Sequence, residues 1–201
     1  MTSNTNIAVL ISGGGTNLKA LIDGEKEGLF KGKIKIVISN NKSAYGLVRA
    51  NNAGIKNVVE KDYNKIFDLL KEEKIDLIVL AGYLKILPDF IIKEYENRII
   101  NIHPSLIPSF CGKGFYGLEV HKQALKRGVK ITGATTHFVD GCTDGGPIII
   151  QEAVPVFFQD TPEVLQKRVL AVEHKILVES VKYFCLGKLE VKGHNVKIER
   201  S

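Results

Sequence analysis

The sequence predicts an α/β fold, built as a single doubly wound, mostly parallel sheet with helices on both faces. Short continuous runs of Ile, Val and Leu, as at residues 7–11 and 76–80, are typical of central parallel strands that are buried on both faces. These runs alternate with longer segments in which apolar residues recur at helical spacing, and such alternation is typical of parallel sheets. Because no linker, internal repeat or low-complexity segment interrupts the pattern, we expect one domain over residues 1–201.

The first half of the chain is predicted to supply most of the parallel strands. The run 7–11 leads into a glycine turn, after which Leu18, Leu21 and Ile22 fall at helical spacing. Pro104 lacks a backbone N–H and restricts the residue before it, so a strand should end at His103. The same reasoning predicts further strands at residues 33–39, 56–59 and 76–80, and helices at residues 45–53, 64–74 and 89–95.

The second half begins with a loop at residues 109–117, whose glycines and aromatic side chains indicate a flexible segment able to close over a ligand. Asp160 and Glu163 have the spacing of a capping box, which predicts a long helix from there to about residue 184. The remaining predicted elements are a helix at 118–127, strands at 131–139 and 147–154, and a terminal hairpin formed by 189–191 and 196–198. The strand at 131–139 should place Gly133, Thr135 and His137 on one face and Thr132, Ala134, Thr136 and Phe138 on the other.

Composition excludes several classes of protein. Hydrophobic residues make up 44% of the chain and charged residues 25%, as in ordinary globular proteins. The net charge of +6 permits nucleic-acid binding, but the lysines are spread along the chain beside glutamates, so we expect no nucleic-acid partner. No apolar run reaches the length of a membrane span and no signal-peptide pattern is present, which predicts a cytoplasmic protein without a membrane partner. Three widely spaced cysteines without a CxxC or Cys/His cluster predict reduced thiols and no metal site.

A candidate catalytic pair lies at the strand end before Pro104. Asn101 and His103 are two residues apart, so in a strand both side chains point to the same face. An amide that donates a hydrogen bond and an imidazole that changes charge near neutral pH suit the stabilisation of an oxyanion and the transfer of a proton. A polar strand end that makes only local hydrogen bonds is the alternative.

A candidate phosphate site follows the first strand. Residues 12–17, Ser-Gly-Gly-Gly-Thr-Asn, connect a strand to a helix start, an arrangement in which backbone N–H groups bind phosphate. The GxGxxG pattern is incomplete because Leu18 replaces its third glycine, and no Walker lysine follows, so a dinucleotide or triphosphate is poorly supported. A tight turn that requires a positive φ is the alternative. This loop, the loop at Gly82 and the end of the strand at His103 should share the carboxyl edge of the sheet.

Several motifs together resemble the phosphoribosylglycinamide formyltransferase family, the folate-dependent formyltransferases of purine synthesis. The resemblance runs from Ile7 to about Lys188, and it is carried by residues 12–18, 80–83, 101–108, 137–139 and 144–148. It implies that the protein transfers the formyl group of 10-formyltetrahydrofolate to the amine of 5-phosphoribosylglycinamide. It also implies no metal, no covalent enzyme intermediate and no partner beyond these small molecules, with a monomer or a homodimer as the assembly.

The resemblance assigns roles to individual residues. It implies that Asn101 donates to the oxyanion of the tetrahedral intermediate, that a protonated His103 assists and shuttles protons, and that Asp144 supports the charged imidazole. The implied ribonucleotide-binding residues are Gly14, Gly15, Thr16, Asn17, Leu18 and Glu173. The implied folate-binding residues are Leu84, Lys85, Ile86, Leu87, Asn101, Asp140, Gly141, Cys142 and Thr143.

Alternatives to these roles remain open at this point. Glu173 also fits a solvated helix carboxylate, the folate segments fit ordinary loops, and His137 fits either a structural strand residue or a pocket residue. Residues 61–74 are shorter than the matching segment of many relatives, so the basic residue that meets the folate tail, Lys61 or Lys65, is unassigned. The loop 111–117 departs from the commoner proline-containing form. Other readings are a different 10-formyltetrahydrofolate enzyme, such as a deformylase or a formyltransferase to another amine, and a non-catalytic nucleotide- or RNA-binding module.

Overall fold

A computed structural model describes residues 4–199, and within them one nine-stranded sheet is flanked by helices on both faces. The sheet order is β3-β2-β1-β4-β5-β6-β7-β9-β8. The strands are β1 (Thr5–Ile11), β2 (Gly32–Ser39), β3 (Lys56–Val59), β4 (Leu77–Leu80), β5 (Ile99–His103), β6 (Ile131–Phe138), β7 (Ile148–Pro155), β8 (Leu189–Lys192) and β9 (Asn195–Ile198). The helices are α1 (Thr16–Lys26), α2 (Tyr45–Asn52), α3 (Tyr63–Glu72), α4 (Asp89–Glu94), α5 (Leu118–Arg127) and α6 (Pro162–Cys185). The predicted fold class is confirmed.

The strands run in one direction from β3 to β5, and the direction first changes at β6. Strands β1 to β5 pair in parallel, whereas β6 is antiparallel to both β5 and β7. The hairpin β8–β9 joins the far edge through one parallel pair, Ile148 with Asn195. The sheet is therefore mixed, with a parallel half that resembles a doubly wound fold and an antiparallel half beyond β5.

Two hydrophobic clusters lie on the two faces of the sheet, because alternate strand residues point in opposite directions. Ile7, Val9 and Ile11 of β1 pack into the cluster that includes residues of α1, α5 and α6. Ala8 and Leu10 pack into the other cluster, with residues of α3 and α4. Coverage on both faces explains why β1 is a continuous apolar run.

Three strand ends meet at one edge of the sheet, as predicted. Leu10 is level with Leu80, and Leu80 is level with Asn101, so the chain leaves β1, β4 and β5 at the same height. The loops that follow are joined directly, since the Ser12 N–H donates to the Gly82 carbonyl at 3.1 Å.

One local prediction is wrong. The cap of α6 is Thr161, whose hydroxyl accepts from the Val164 N–H at 3.3 Å, and not Asp160. The Asp160 carboxylate instead forms two hydrogen bonds with the Arg168 guanidinium, at 2.6 and 2.8 Å. A bidentate bond between two charges is stronger than a capping bond to a neutral amide, so the carboxylate turns toward the arginine. The other element boundaries agree with the predicted ones within one or two residues.

Within residues 4–199, no helix is both long and apolar enough to cross a membrane.

Candidate active site

The end of β5 places a buried imidazole beside the mixed part of the sheet. His103 is 5% exposed, and its Nε2 lies 2.9 Å from the Phe110 carbonyl. A carbonyl only accepts, so Nε2 carries a hydrogen and donates it. The other ring nitrogen, Nδ1, lies 3.7 Å from an oxygen of Asp144. The ring is therefore held at Nε2 by a loop carbonyl, and the Asp144 carboxylate lies just beyond hydrogen-bond distance of Nδ1.

The charge of His103 is set by opposing influences. Burial lowers the pKa of His103, because the charged ring loses its hydration. The Asp144 carboxylate and the Phe110 carbonyl raise the pKa, but they do not offset burial, and the pKa lies below its ordinary value. The resemblance implied a protonated imidazole, whereas this environment favours the neutral ring until a further negative charge enters the site.

Asn101 is oriented by a second histidine. Its amide nitrogen lies 3.1 Å from His137 Nε2, and the His137 Nδ1 donates to the Phe138 carbonyl at 2.8 Å. With its hydrogen on Nδ1, a neutral His137 accepts the Asn101 N–H at Nε2. The amide has a second hydrogen, which is the one suited to an external acceptor. His137 thus contacts Asn101, but it is 2% exposed and both of its ring nitrogens have partners, so it fits a structural strand residue as well as a residue of the site.

Asp144 lies between the two imidazoles. Its oxygens are 3.7 Å from His103 and 3.8 Å from His137, and one also accepts from the Gly112 N–H at 2.8 Å. Burial raises the pKa of Asp144, but His137, His103 and the Gly112 amide outweigh it and hold the pKa below its ordinary value. The carboxylate is therefore ionised at neutral pH.

Backbone geometry fixes the position of this carboxylate. Asp144 has a φ of 54°, in the left-handed region, and two glycines follow it. A Cβ on Gly146 would lie 1.9 Å from the Phe138 carbonyl oxygen, and one on Gly145 would lie 2.7 Å from the Cys142 Cβ. The chain can follow this path only where no side chain is present at either position.

The loop after β5 contributes backbone groups to the site. The Phe110 carbonyl contacts His103, and the Gly112 N–H contacts Asp144. Neither contact could be predicted from the sequence, because every residue carries these atoms. The segment predicted as a lid at residues 109–117 thus also supports both catalytic candidates.

The predicted phosphate loop lies at the start of α1. Gly15 has a φ of 68°, and α1 begins at Thr16. A Cβ on Gly13 or on Gly14 would meet no atom within 4 Å, so this side of the loop is open. The tight turn with a positive φ is therefore present, and there is open space beside Gly13 and Gly14.

Glu173 reaches the same loop from α6. Its carboxylate accepts from the Asn17 amide at 2.8 Å, and the side chains of both residues are buried. Burial raises the pKa of Glu173, and the hydrogen bond from Asn17 opposes that rise. The reading of Glu173 as a solvated carboxylate is therefore wrong. The other amide atom, Asn17 Oδ1, is buried and has no hydrogen-bond partner within residues 4–199.

The candidate folate segments lie on both sides of Asn101. Leu84 and Ile86 are 57% and 75% exposed, whereas Leu87 packs in the core. The Leu84 N–H donates to the Ser12 hydroxyl at 2.9 Å, which joins this segment to the phosphate loop. On the other side Asp140 caps a turn, accepting from the Cys142 N–H at 2.8 Å, and Gly141, Cys142 and Thr143 are exposed.

A cavity of about 550 Å³ lies next to this turn, between α4 and the β8–β9 hairpin. Asp140 and Gly141 are part of its wall, but Asn101, His103 and Asp144 are not. The catalytic candidates thus do not line this cavity.

Known proteins resemble this chain in sequence and fold. Residues 5–181 match the family model described as formyl transferase. A curated phosphoribosylglycinamide formyltransferase, chloroplastic, from Vigna unguiculata is 40% identical over 97% of this chain, and the chain spans 65% of that relative's length. The crystal structure of glycinamide ribonucleotide transformylase 1 from Symbiobacterium toebii is 41% identical with a TM-score of 0.93, covering 98% of this chain and 95% of that one. A formyltetrahydrofolate deformylase from Pseudomonas syringae is 27% identical with a TM-score of 0.89, covering 97% of this chain and 66% of that one.

Proposed function

The chain belongs to the formyl transferase family, and on that premise we propose that it transfers the formyl group of 10-formyltetrahydrofolate to the amine of 5-phosphoribosylglycinamide, in purine biosynthesis. The observation that carries this proposal is the cluster of Asn101, His103, His137 and Asp144 at the end of β5. The cluster combines a second amide hydrogen on Asn101, a proton carrier and a partly buried carboxylate, which suit acyl transfer through an oxyanion.

In the proposed reaction, the substrate amine attacks the formyl carbon. The carbonyl oxygen becomes an oxyanion, which accepts the second amide hydrogen of Asn101 and favours the charged form of His103. The imidazole carries a proton from the attacking nitrogen to N10 of the folate. The bond between carbon and N10 then breaks, the carbonyl re-forms, and tetrahydrofolate leaves. Asp144 supports the imidazolium, because a nearby negative charge favours it. No metal and no covalent enzyme intermediate enters these steps.

The substrates are assigned to the two sides of this cluster. We propose that the backbone of residues 14–18 binds the ribonucleotide phosphate and that Glu173 contacts the rest of the ribonucleotide. The open loop at Gly13 and Gly14 and the burial of Glu173 beside it support this. We assign the folate to residues 84–87 and 140–143, where Leu84 and Ile86 offer exposed apolar side chains to a flat ring. We expect a cytoplasmic monomer or homodimer that has no nucleic-acid or membrane partner.

A deformylase is the second candidate, because a solved deformylase shares the fold over almost the whole of this chain. The same oxyanion and proton chemistry would serve water as the attacking group. The two functions differ in whether the amine substrate is required.

A spectrophotometric assay of folate release separates them. We expect release from 10-formyltetrahydrofolate only when 5-phosphoribosylglycinamide is present. Release at the same rate without the ribonucleotide would establish the deformylase. No release in either mixture would exclude both.

A further inference from the structure

The connection after β2 and the first turns of α2 hold the phosphate loop through three consecutive carbonyl groups. The Ser12 carbonyl accepts from the Asn41 side-chain amide at 3.2 Å. The Gly13 carbonyl accepts from the Gly46 N–H at 3.1 Å. The Gly14 carbonyl accepts from Arg49 Nε at 2.9 Å. All three carbonyls therefore point toward one short stretch of chain, residues 41–49.

These contacts determine which side of the loop carries its donors. In a trans peptide the carbonyl and the following N–H point in opposite directions. The N–H groups of Gly13, Gly14 and Gly15 therefore point away from the 41–49 segment. Within residues 4–199, none of these three N–H groups donates to a protein acceptor. Successive free N–H groups in a turn form an anion-binding concavity.

Arg49 brings a positive charge to this turn. Its Nε uses one of five guanidinium hydrogens on Gly14, and the guanidinium carbon lies 5.0 Å from the centre of the Tyr45 ring. The approach is close because both backbones lack side chains. A Cβ on Gly15 would lie 2.6 Å from the Gly46 Cα, and one on Gly46 would lie 2.3 Å from the Ile11 Cδ1.

We propose that Arg49 is the positioning and specificity residue for the phosphate of the substrate. Its Nε–H fixes the Gly14 carbonyl so that the loop amides face a doubly charged phosphate monoester, and its remaining charge attracts that dianion. Stacking on the uncharged Tyr45 ring holds the guanidinium beside the loop and does not neutralise its positive charge. This inference rests on the proposed function, because it concerns the ribonucleotide side of the same site.

The test compares Arg49→Met with Arg49→Lys on two amine substrates, the ribonucleotide and its dephosphorylated nucleoside. For Arg49→Met we expect KM for the ribonucleotide to rise about 10- to 100-fold, the range of a lost charge-assisted hydrogen bond, with kcat nearly unchanged. Activity toward the nucleoside should not change. Arg49→Lys keeps the charge but cannot keep both the fork and the stacking, so its KM should lie between those of Arg49→Met and the wild type. Arg127→Met, an exposed arginine at the end of α5, is the matched control.

Two results would overturn the inference: equal losses on both substrates, which indicate a purely structural role, or no change in KM for the ribonucleotide. Failure of the wild-type protein to transfer formyl groups would instead contradict the proposed function. In that case inorganic phosphate remains a probe of Arg49. Phosphate should raise the thermal midpoint of the wild type and not that of Arg49→Met, and an equal rise in both would reject the role of Arg49.

Discussion

At the scale of single residues, the proposed chemistry depends on one carboxylate, Asp144, that lies beside two imidazoles. Asp144 lies 3.7 Å from His103 and 3.8 Å from His137; both imidazoles are buried and the carboxylate is partly buried. Burial alone would raise the pKa of Asp144. The pKa nevertheless lies below its ordinary value, and the Gly112 N–H donates to the charged carboxylate. A carboxylate charged in advance lowers the cost of charging His103 when an oxyanion forms.

Replacing Asp144 with Asn should remove the charge and preserve the contacts. The new amide oxygen can still accept from the Gly112 N–H, so we expect a folded protein with kcat/KM lowered about 10²- to 10³-fold. The pKa of His103 should fall further below its ordinary value, because the largest influence that raises it is lost. Steady-state kinetics and NMR titration of the ring protons measure both effects. Asp68→Asn, an exposed carboxylate on α3, is the control, and wild-type activity in Asp144→Asn would contradict the assigned role.

Residue-level prediction succeeded where side chains carry the signal. The alternation of a strand and the restriction imposed by Pro104 were sufficient to place Asn101 and His103 together. Phe110 and Gly112 act through backbone atoms, for which no sequence pattern exists. The burial of Glu173 was missed because a carboxylate on a long helix is usually solvated, and its Asn17 partner lies 156 positions away in the chain.

At the scale of elements, the order was predictable and the direction of β6 was not. A strand, a helix and another strand usually form a parallel unit. Here the chain first travels through the loop 104–117, which makes contacts to His103 and Asp144 before α5 begins. After this loop and α5 the chain enters β6, which runs antiparallel to β5. The antiparallel pairing is what sets His137 directly opposite Asn101.

The first residue of α3 supports the exposed segment 84–87, to which we assign the folate. The Tyr63 hydroxyl donates to the Ile86 carbonyl at 2.8 Å. Tyr63→Phe should therefore raise KM for 10-formyltetrahydrofolate about three- to tenfold, the range of one neutral hydrogen bond, and leave KM for the ribonucleotide unchanged. Tyr183→Phe removes a comparable hydroxyl contact on α6, to Glu179 at 3.0 Å, and is the control. An equal rise in both KM values in Tyr63→Phe would argue against a local support role.

The packing of α5 makes stability depend on pH. Burial lowers the pKa of His121 to about 4, from an ordinary value of 6.5. Between these pH values the unfolded chain binds the proton and the folded one does not, so stability falls as the pH falls. His121 is buried, and its Nδ1 has no partner within the described residues.

We expect the urea midpoint to fall less between pH 7 and pH 5 in His121→Leu than in the wild type. Circular dichroism during urea titration measures this difference. Identical pH dependence in the two proteins would show that His121 does not titrate on unfolding.

At the scale of the whole molecule, stability should decrease from the centre of the sheet to its late edge. Strands β1 and β4 are buried on both faces, whereas β8 and β9 join β7 through a single pair. We expect the amides of residues 189–198 to exchange with deuterium faster than those of β1 and β4, since local opening there breaks few contacts. Mass spectrometry of peptides after timed exchange measures this gradient. Uniform protection across the sheet would mean that the hairpin unfolds only with the rest of the protein.

The sharp turn at Asp144 restricts which substitutions can accumulate during evolution. Of three consecutive positions, one must keep a carboxylate between two imidazoles, and the next two leave no space for a Cβ. Most substitutions in surface loops change stability little. Here each of the three positions restricts substitution, and the physical reason differs between Asp144 and the two glycines. Lineages that keep the chemistry are therefore expected to keep this triplet while their surfaces diverge. This triplet should identify proteins that keep the chemistry even where their overall sequence identity is low.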